Sequence, residues 1–298
     1  MMKKLVRFGA LVAMLFGLGL SGCSFLNGSS SNGVSPPVEP VDEVNGNNSA
    51  ERIRVFSPTL ETNIKRVALV IGNEDYKYMN GLNSPKEDAE DITKKLQGFG
   101  FSVIHATDTT KTGMEVAIGK FKKAISKFNA DESRKGEGLF YYSGHGAQDD
   151  NGINYLIPTD AKSVSAKKLG NVAVALDRVV DVMQLANNNE ANIIILDACR
   201  SNPSSDAKGI APGLADIGEI GRSMLVAYAT NPGKTANDLP GNRNSVYTKH
   251  LLGFLDKPEL PIDQILEDVR NAVKQETDGK QVPWHGSTMV TDFIFKPY

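Results

Sequence analysis

The feature that most constrains the fold is a series of short apolar runs separated by amphipathic stretches. The runs occupy residues 67–71, 101–106, 139–142 and 193–196. Fully buried parallel strands have this near-continuous apolar character. The stretches between them repeat apolar residues at helical spacing: Ala89, Ile92 and Leu96; Met114, Ile118, Phe121 and Ile125; Leu176, Val179, Val180 and Met183. Strands alternating with helices predict a mainly parallel sheet with right-handed crossovers and helices on both faces.

The C-terminal part of the sequence continues this pattern. Residues 224–229 and 289–295 are predicted strands, and residues 245–255 and 262–276 are predicted amphipathic helices. Together with the four earlier runs they give six strands. The sequence therefore predicts one α/β domain over residues 64–298, with a long Gly-, Pro-, Ser- and Asp-rich loop at residues 201–222.

The first residues predict a cleaved export signal. Three basic residues lie within the first seven positions, the apolar run 8–20 follows, and Leu20-Ser21-Gly22-Cys23 ends it, which is typical of a signal peptide over residues 1–22. The tetrapeptide resembles the lipobox of bacterial lipoproteins. That resemblance implies lipid on Cys23, a membrane-anchored protein of the bacterial cell envelope and, because Ser24 follows, a preference for the outer membrane. The alternative is an ordinary secretory signal with an incidental cysteine.

Residues 23–63 are predicted to form a flexible tether. The segment from Ser24 to Leu60 is dominated by Ser, Asn, Gly and Pro with scattered acids. Such a composition buries too little apolar surface to offset the entropy of ordering the chain. The predicted organisation is therefore signal peptide, tether and one folded domain.

The cysteine content and the net charge limit the classes of function that the sequence supports. The chain has two cysteines, so lipid on Cys23 leaves Cys199 without a disulfide partner. An unpaired thiol in an exported protein is either buried and inert or kept for its reactivity. The formal net charge is −2. Because binding to a phosphate backbone requires clustered positive charge, no nucleic-acid partner is expected.

Two predicted strands end in residues that suit nucleophilic catalysis. Residues 139–143 lead into Gly144-His145-Gly146, and residues 193–196 lead into Asp197-Ala198-Cys199. The carboxyl ends of parallel strands meet at one edge of a sheet, where ligands bind. An imidazole can take the proton of a thiol, and the N–H groups of Gly146 and Cys199 can converge on a developing oxyanion. His145 and Cys199 are the predicted catalytic pair.

At these residues the sequence resembles the superfamily of caspases, metacaspases and bacterial orthocaspases. Ser143-Gly144-His145-Gly146 and Asp197-Ala198-Cys199 carry the resemblance, supported by residues 70–73, 154–158 and 227–230. It implies a caspase-like three-layer sandwich with a mainly parallel six-stranded sheet. Residues 64–203 would be similar to the large subunit and residues 220–298 to the small one. It also implies a cysteine endopeptidase with a Cys-His dyad acting on peptide or protein substrates.

Two carboxylates are predicted to line the pocket for P1, the substrate residue whose peptide bond is cut. Side chains alternate along a strand, so Asp197 and Cys199 project to one side, and Asp88 opens a helix at the same sheet edge. The resemblance implies that Asp88 and Asp197 select Arg or Lys at P1, as in metacaspase-like enzymes. The alternative for Asp88 is an acid that is favoured at a helix start by the dipole.

No cofactor is expected. The end of Asn231-Pro232-Gly233-Lys234-Thr235 looks like a phosphate-binding loop, but the required earlier glycine is replaced by Tyr228. No His/Cys set has the spacing of zinc ligands. Calcium activation, known in some metacaspases, remains an alternative through Asp149, Asp150, Asp206 and Asp216, although solvated loops are favoured.

Two other functions fit the same sequence. The first is a catalytically silent caspase-like module that binds a peptide or a partner protein. The second keeps the dyad but uses it on cell-wall peptides, as an amidase or transpeptidase. The presence of both His145 and Cys199 favours the peptidase.

Overall fold

The computed structural model describes residues 41–43, 52–59, 64–127, 136–185, 189–199, 214, 221–231 and 241–296. The chain divides into the units Met1–Pro36 and Pro37–Tyr298, and every described residue lies in the second. The predicted signal peptide, Cys23 and most of the predicted tether lie outside the described residues, as does most of the loop 201–222. In the described part, no helix is long and apolar enough to cross a membrane.

One sheet organises the domain. Its strands are β1 (Val41–Glu43), β2 (Arg52–Phe56), β3 (Lys65–Gly72), β4 (Phe101–Thr107), β5 (Gly136–Gln148), β8 (Asn189–Cys199), β9 (Met224–Tyr228) and β10 (Trp284–Ser287). They run in the order β1-β2-β4-β3-β5-β8-β9-β10. The strands β4, β3, β5, β8 and β9 are parallel to one another, and β2 and β10 flank them antiparallel. The short strands β6 (Asn154–Leu156) and β7 (Val174–Ala175) extend β5 as a side ladder.

Helices cover both faces of the sheet. They are α1 (Pro85–Gly98), α2 (Lys111–Ile125), α3 (Leu169–Val172), α4 (Asp177–Gln184), α5 (Val246–Phe254) and α6 (Ile262–Glu276). One apolar core packs α2 and α4 on one face, and a second packs α1, α5 and α6 on the other. Alternate residues of β3 enter the two cores, Leu69 the first and Val70 the second. The predicted three-layer α/β architecture is confirmed.

The edge of the sheet begins earlier than the sequence predicts. The tether was expected to continue to residue 63, but β2 pairs with β4 and places Ile53 in the core. This boundary of the tether is wrong because a short edge strand with charged residues has a polar composition similar to that of a linker. With β1, β2 and β10, the described residues give the sheet eight strands in its main path instead of six.

The predicted closing strand at residues 289–295 is also wrong. The last strand of the described chain is β10, which precedes this segment and pairs antiparallel with β9. Phe293 and Phe295 are buried because they pack into the core shared with α5 and α6. Their alternating pattern therefore comes from two side chains that fix the C-terminal segment to the core. The backbone of this segment forms an isolated bridge, Pro261 to Ile294, and no strand.

A buried ion pair holds this tail to the amino ends of the central strands. Arg66 on β3 pairs with Glu137 on β5 at 2.6 Å. Its other guanidinium nitrogens donate to the carbonyl oxygens of Phe99, Ile294 and Phe295, each at 2.8 Å. Since every group faces an opposite charge or an acceptor, the pair is buried with its hydrogen-bonding needs met.

Candidate active site

The pairing of β5 with β8 brings the two predicted catalytic residues together. The strands are parallel, and their register places Ser143 beside Asp197 and His145 beside Cys199. Both strands continue through residues that the sequence predicted to follow them. Neighbouring strands lie about 4.8 Å apart, so the backbones of His145 and Cys199 are in direct apposition. The side chain of Cys199 lies outside the described part of the structure.

Two tyrosines and one carbonyl group fix His145. The residue is buried, with 2% of its surface exposed. Its N–H donates to the hydroxyl of Tyr76 at 2.8 Å, and its carbonyl oxygen accepts from the hydroxyl of Tyr142 at 2.8 Å. The Tyr76 ring packs on the imidazole with 4.5 Å between centroids. The imidazole therefore has a defined position and tilt.

The contact between His145 and Asn80 selects the tautomer of the ring. Nε2 of His145 lies 2.9 Å from the carbonyl oxygen of Asn80. Because a carbonyl oxygen only accepts, Nε2 carries the proton in the neutral imidazole and Nδ1 is the basic nitrogen. This is the protonation state that a general base at this position requires.

Gly144 must lack a side chain for this packing to exist. Its φ is 156°. A Cβ atom there would lie 2.6 Å from the Tyr142 hydroxyl oxygen and 2.9 Å from that of Tyr76. Any other residue would displace the two hydroxyls that hold the His145 backbone.

The predicted oxyanion donor Gly146 lies in the strand next to His145. The N–H of Ile157 donates to the carbonyl oxygen of His145 at 3.0 Å, and Gly146 pairs with Leu156 on β6. This pattern makes Gly146 and Leu156 a pair without mutual hydrogen bonds. The N–H of Gly146 is consequently directed away from β6, toward the side of β5 on which β8 runs.

A network of charges anchors the segment that carries Tyr76 and Asn80. Lys86 at the start of α1 lies 3.2 Å from Glu74, 2.9 Å from Asp75 and 3.5 Å from Asp108. Oδ1 of Asp108 accepts the N–H groups of Glu74 at 3.0 Å and Asp75 at 2.9 Å. These contacts fix the connection between β3 and α1 both after β3 and at the start of α1.

The second predicted pair, Asp88 and Asp197, is also brought together. Asp88 lies in the first turn of α1, where the helix dipole also favours an acid, and it is fully buried. Asp197 on β8 is 4% exposed. The N–H of Ser245 donates to Oδ1 of Asp88 at 3.0 Å, and the Ser245 hydroxyl donates to Oδ2 of Asp197. One serine therefore contacts both carboxylates.

Further neutral donors complete this carboxylate site. The Ser143 hydroxyl lies 3.2 Å from Oδ2 of Asp88, and the Thr248 hydroxyl lies 2.7 Å from Oδ2 of Asp197. Ser245 is the N-cap of α5, since its Oγ accepts the N–H of Thr248. The amino end of α5 is thereby aimed at both acids, which favours negative charge there.

Burial and mutual repulsion nevertheless disfavour ionisation of both acids. Desolvation raises the pKa of Asp88 most, and the charge of Asp197 raises it further, from 3.8 to about 8. Hydrogen bonds from Ser245, Asn244 and Ser143 oppose this shift without cancelling it. In the described part of the chain, the partners of Asp88 are all neutral. A cation placed between the carboxylates would relieve the repulsion.

Sequence reasoning predicted the two acids and the His145–Cys199 pair, but it missed the groups that contact the acids and His145. Tyr76 and Asn80 lie in an irregular segment, and Ser245 and Thr248 looked like an ordinary helix start. The sequence signal for this part of the site was Ser245, because serine is a preferred N-cap residue.

The described residues contain no group of three or more His, Cys, Asp or Glu side chains that could hold a metal. Of the acids considered for calcium, Asp149 accepts the N–H groups of Asn151 and Ile153, both at 2.9 Å, and so closes its own turn. Asp206 and Asp216 lie outside the described residues. Calcium activation stays a prediction.

Comparison with known proteins identifies the class. Residues 65–295 match the family model of the caspase domain. The chain therefore belongs to the caspase-domain family of cysteine peptidases, peptidase family C14.

Individual relatives agree with this assignment. The human mucosa-associated lymphoid tissue lymphoma translocation protein 1 is 27% identical over 221 residues, which is 72% of this chain and 25% of that protein. Caspase-1-A of Xenopus laevis is 27% identical over 232 residues, 71% of this chain and 56% of the relative. The chain thus spans about a quarter and somewhat over half of these two proteins.

The raised pKa of Asp88 predicts a pH-dependent cost to stability. An acid with a raised pKa in the folded state binds its proton more tightly there than in the unfolded chain, so stability falls as pH rises from about 4 toward about 8. We expect Asp88→Asn, which carries no charge, to exceed the wild type in free energy of unfolding by a margin that grows over this range. Urea unfolding of the full chain at several pH values measures it.

Glu90 on the same helix provides the control. Its pKa is lowered, first by the hydrogen bond from Lys94. Glu90→Gln should therefore lose stability relative to the wild type as pH rises, the opposite sign. A margin for Asp88→Asn that stays constant across the pH range would contradict the prediction.

Proposed function

We propose that this protein is a cysteine endopeptidase that cleaves after Arg or Lys, with Cys199 as nucleophile and His145 as general acid and base. The observation that carries the proposal is the register of β5 and β8, which sets His145 beside Cys199 and Ser143 beside Asp197. A dyad and an acidic pocket then lie at one edge of the sheet.

The proposed reaction proceeds through a thioacyl-enzyme. Nδ1 of His145 accepts the proton of the Cys199 thiol, and the thiolate attacks the scissile carbonyl carbon. The N–H groups of Gly146 and Cys199 donate to the oxyanion that forms. His145 returns its proton to the leaving amine as the C–N bond breaks. A water molecule, deprotonated by His145, then hydrolyses the thioester and frees Cys199.

The hydrogen bond from Nε2 of His145 to the Asn80 carbonyl supports this cycle. It keeps Nδ1 basic before the attack and stabilises the imidazolium after it, as a buried acceptor does for catalytic histidines. Each proton transfer uses a group of this chain, so the proposal includes no cofactor.

The first test removes the dyad. Cys199→Ala and His145→Ala should each abolish cleavage of an Arg-terminated fluorogenic peptide, because each residue needs the other for nucleophile activation. The double variant should be no worse than either single variant, since residues acting as one unit give non-additive losses. Turnover near the wild-type rate in Cys199→Ala would refute the assignment.

The same assays separate the peptidase from the alternatives. A peptidyl acyloxymethylketone with a basic P1 group should label Cys199 in an active peptidase. A catalytically silent peptide-binding module would not react. An amidase or transpeptidase would react with the reagent but act on cell-wall peptides in preference to protein substrates.

The P1 preference follows from the carboxylate pair. The two acids are buried, and their mutual repulsion contributes to the raised pKa of Asp88. A guanidinium or ammonium group of the substrate would supply positive charge beside them. A substrate with Asp at P1 would instead add a third negative charge. The site therefore favours Arg and Lys and opposes acidic residues.

The second test concerns Asp197. Asp197→Ala should reduce cleavage after Arg by roughly tenfold or more, because a charge-assisted hydrogen bond contributes roughly 1.5 to 3 kcal/mol. Cleavage after Leu should change little in the same variant. Profiling a peptide library with the wild type and this variant measures both. Wild-type cleavage after Asp, or equal cleavage after Arg and Leu, would exclude the proposed specificity.

We also propose that the protein is anchored by lipid on Cys23, outside the described residues, with the outer membrane favoured. The support is Leu20-Ser21-Gly22-Cys23 at the end of the signal-like segment. Labelled fatty acid should enter the wild type in cells and should not enter Cys23→Ser. An unmodified mature N-terminus at another residue would rule this out.

A further inference from the structure

The residues just before α5, Arg243 and Asn244, contact helix α1. Nε of Arg243 donates to Oδ2 of Asp91 and Nη2 donates to Oδ1, both at 2.8 Å. Asn244 donates to the same carboxylate at 3.1 Å. Nη2 of Arg243 also lies 3.5 Å from Glu90. This is a forked pairing that fixes orientation as well as distance.

Asp91 lies one turn along α1 from Asp88. The same helix therefore presents two carboxylates to consecutive residues of one segment: Asp91 receives Arg243 and Asn244, and Asp88 receives the N–H of Ser245 at 3.0 Å. The position of Ser245 against the acidic pocket is coupled to the ion pair of Arg243.

We infer that Arg243 is a positioning residue for P1 specificity: its ion pair with Asp91 holds Ser245 and the first turn of α5 against Asp88 and Asp197. The inference rests on the proposed function, because it concerns the pocket assigned there to the basic P1 residue. Arg243 does not contact the dyad in the described structure, so its effect is on substrate binding.

The physical argument separates positioning from folding. The side chain of Arg243 is 55% exposed, and exposed ion pairs contribute little to the free energy of unfolding. The hydrogen bonds of Ser245 depend on geometry, however, and both go to buried carboxylates. Losing the ion pair should leave the fold intact while Ser245 moves and the carboxylates lose their alignment toward a substrate cation. The pKa of Asp91 is lowered, chiefly by the hydrogen bond from Arg243, so the pair is charged at neutral pH.

The experiment compares four variants of the full chain, purified in detergent. Arg243→Ala and Asp91→Ala remove the pair, and the double variant Arg243→Asp, Asp91→Arg reverses it. Lys257→Ala is the matched control, because it removes a surface ion pair to Asp268 at 2.9 Å beyond the carboxyl end of α5, whereas Ser245 lies at the amino end. The readouts are kcat and KM on an Arg-terminated peptide, and the rate of Cys199 alkylation by iodoacetamide.

Both single variants should raise KM by roughly fivefold to tenfold, the loss expected for one misaligned hydrogen bond. Their kcat and alkylation rates should stay near those of the wild type, and the charge reversal should recover most of the lost KM. Lys257→Ala should match the wild type. The inference would be overturned if the KM of both single variants were no higher than that of Lys257→Ala, or if the KM of the charge reversal were as high as that of the single variants. A fall in the alkylation rate as large as the rise in KM would also overturn it.

A measurement that needs no turnover keeps the two proposals distinguishable. Hydrogen exchange at the Ser245 amide should be about tenfold faster in Arg243→Ala and Asp91→Ala than in the wild type and Lys257→Ala, because its bond to Asp88 opens. An inactive wild type with this exchange pattern would refute the peptidase and leave the positioning intact. Unchanged exchange in both single variants would refute the positioning role.

Discussion

The rest of the site depends on the parallel register of β5 and β8. That register sets His145 beside Cys199 and, two residues earlier, Ser143 beside Asp197. Ser143 in turn contacts Asp88, so one alignment assembles both the dyad and the carboxylate pair. Side chains alternate along a strand with a period of two. A slip of one residue in this register would therefore turn every side chain of the slipped strand to the opposite face. It would separate His145 from Cys199 and Ser143 from Asp197 at once. Buried apolar residues along both strands specify the register far from the site.

The carboxylate pair has a cost that its surroundings only partly offset. Asp88 and Asp197 are both buried, Ser245 contacts both of them, and the charge of Asp197 raises the pKa of Asp88. Burial and the nearby acids also raise the pKa of Tyr141 and Tyr247, so both phenols stay protonated. Such raised pKa values, caused by burial and by neighbouring like charges, are typical of binding sites that a ligand completes. Under the proposed specificity, a basic P1 residue would restore the stability that the free protein loses here.

The sequence predicted the central strands and the apposition of His145 with Cys199, because both depend on local and strong signals. Apolar runs indicate buried strands, and glycines around His145 indicate a close backbone approach. The β2 edge was missed because its charged residues resemble a linker, and residues 289–295 were assigned to a strand because buried aromatic anchors can alternate without pairing. Asn80 contributes only its backbone carbonyl to the site. No side-chain pattern can reveal such a contact, since any residue carries that group.

The two ends of the central strands carry different kinds of buried charge: a pair of opposite charges at the amino ends and a pair of like charges at the carboxyl ends. At the amino ends, Arg66 and Glu137 form a pair whose remaining donors all reach carbonyl oxygens, and this cluster binds the C-terminal tail. At the carboxyl ends, Asp88 and Asp197 carry like charges and accept hydrogen bonds from Ser143, Ser245 and Thr248. The first arrangement contributes to one defined packing, since removing either partner would leave a buried charge alone. The second keeps two like charges close together, a repulsion that a bound cation would relieve. Because the same parallel strands, β3 and β5, connect the two ends, rigidity at one end can support a destabilised, functional site at the other.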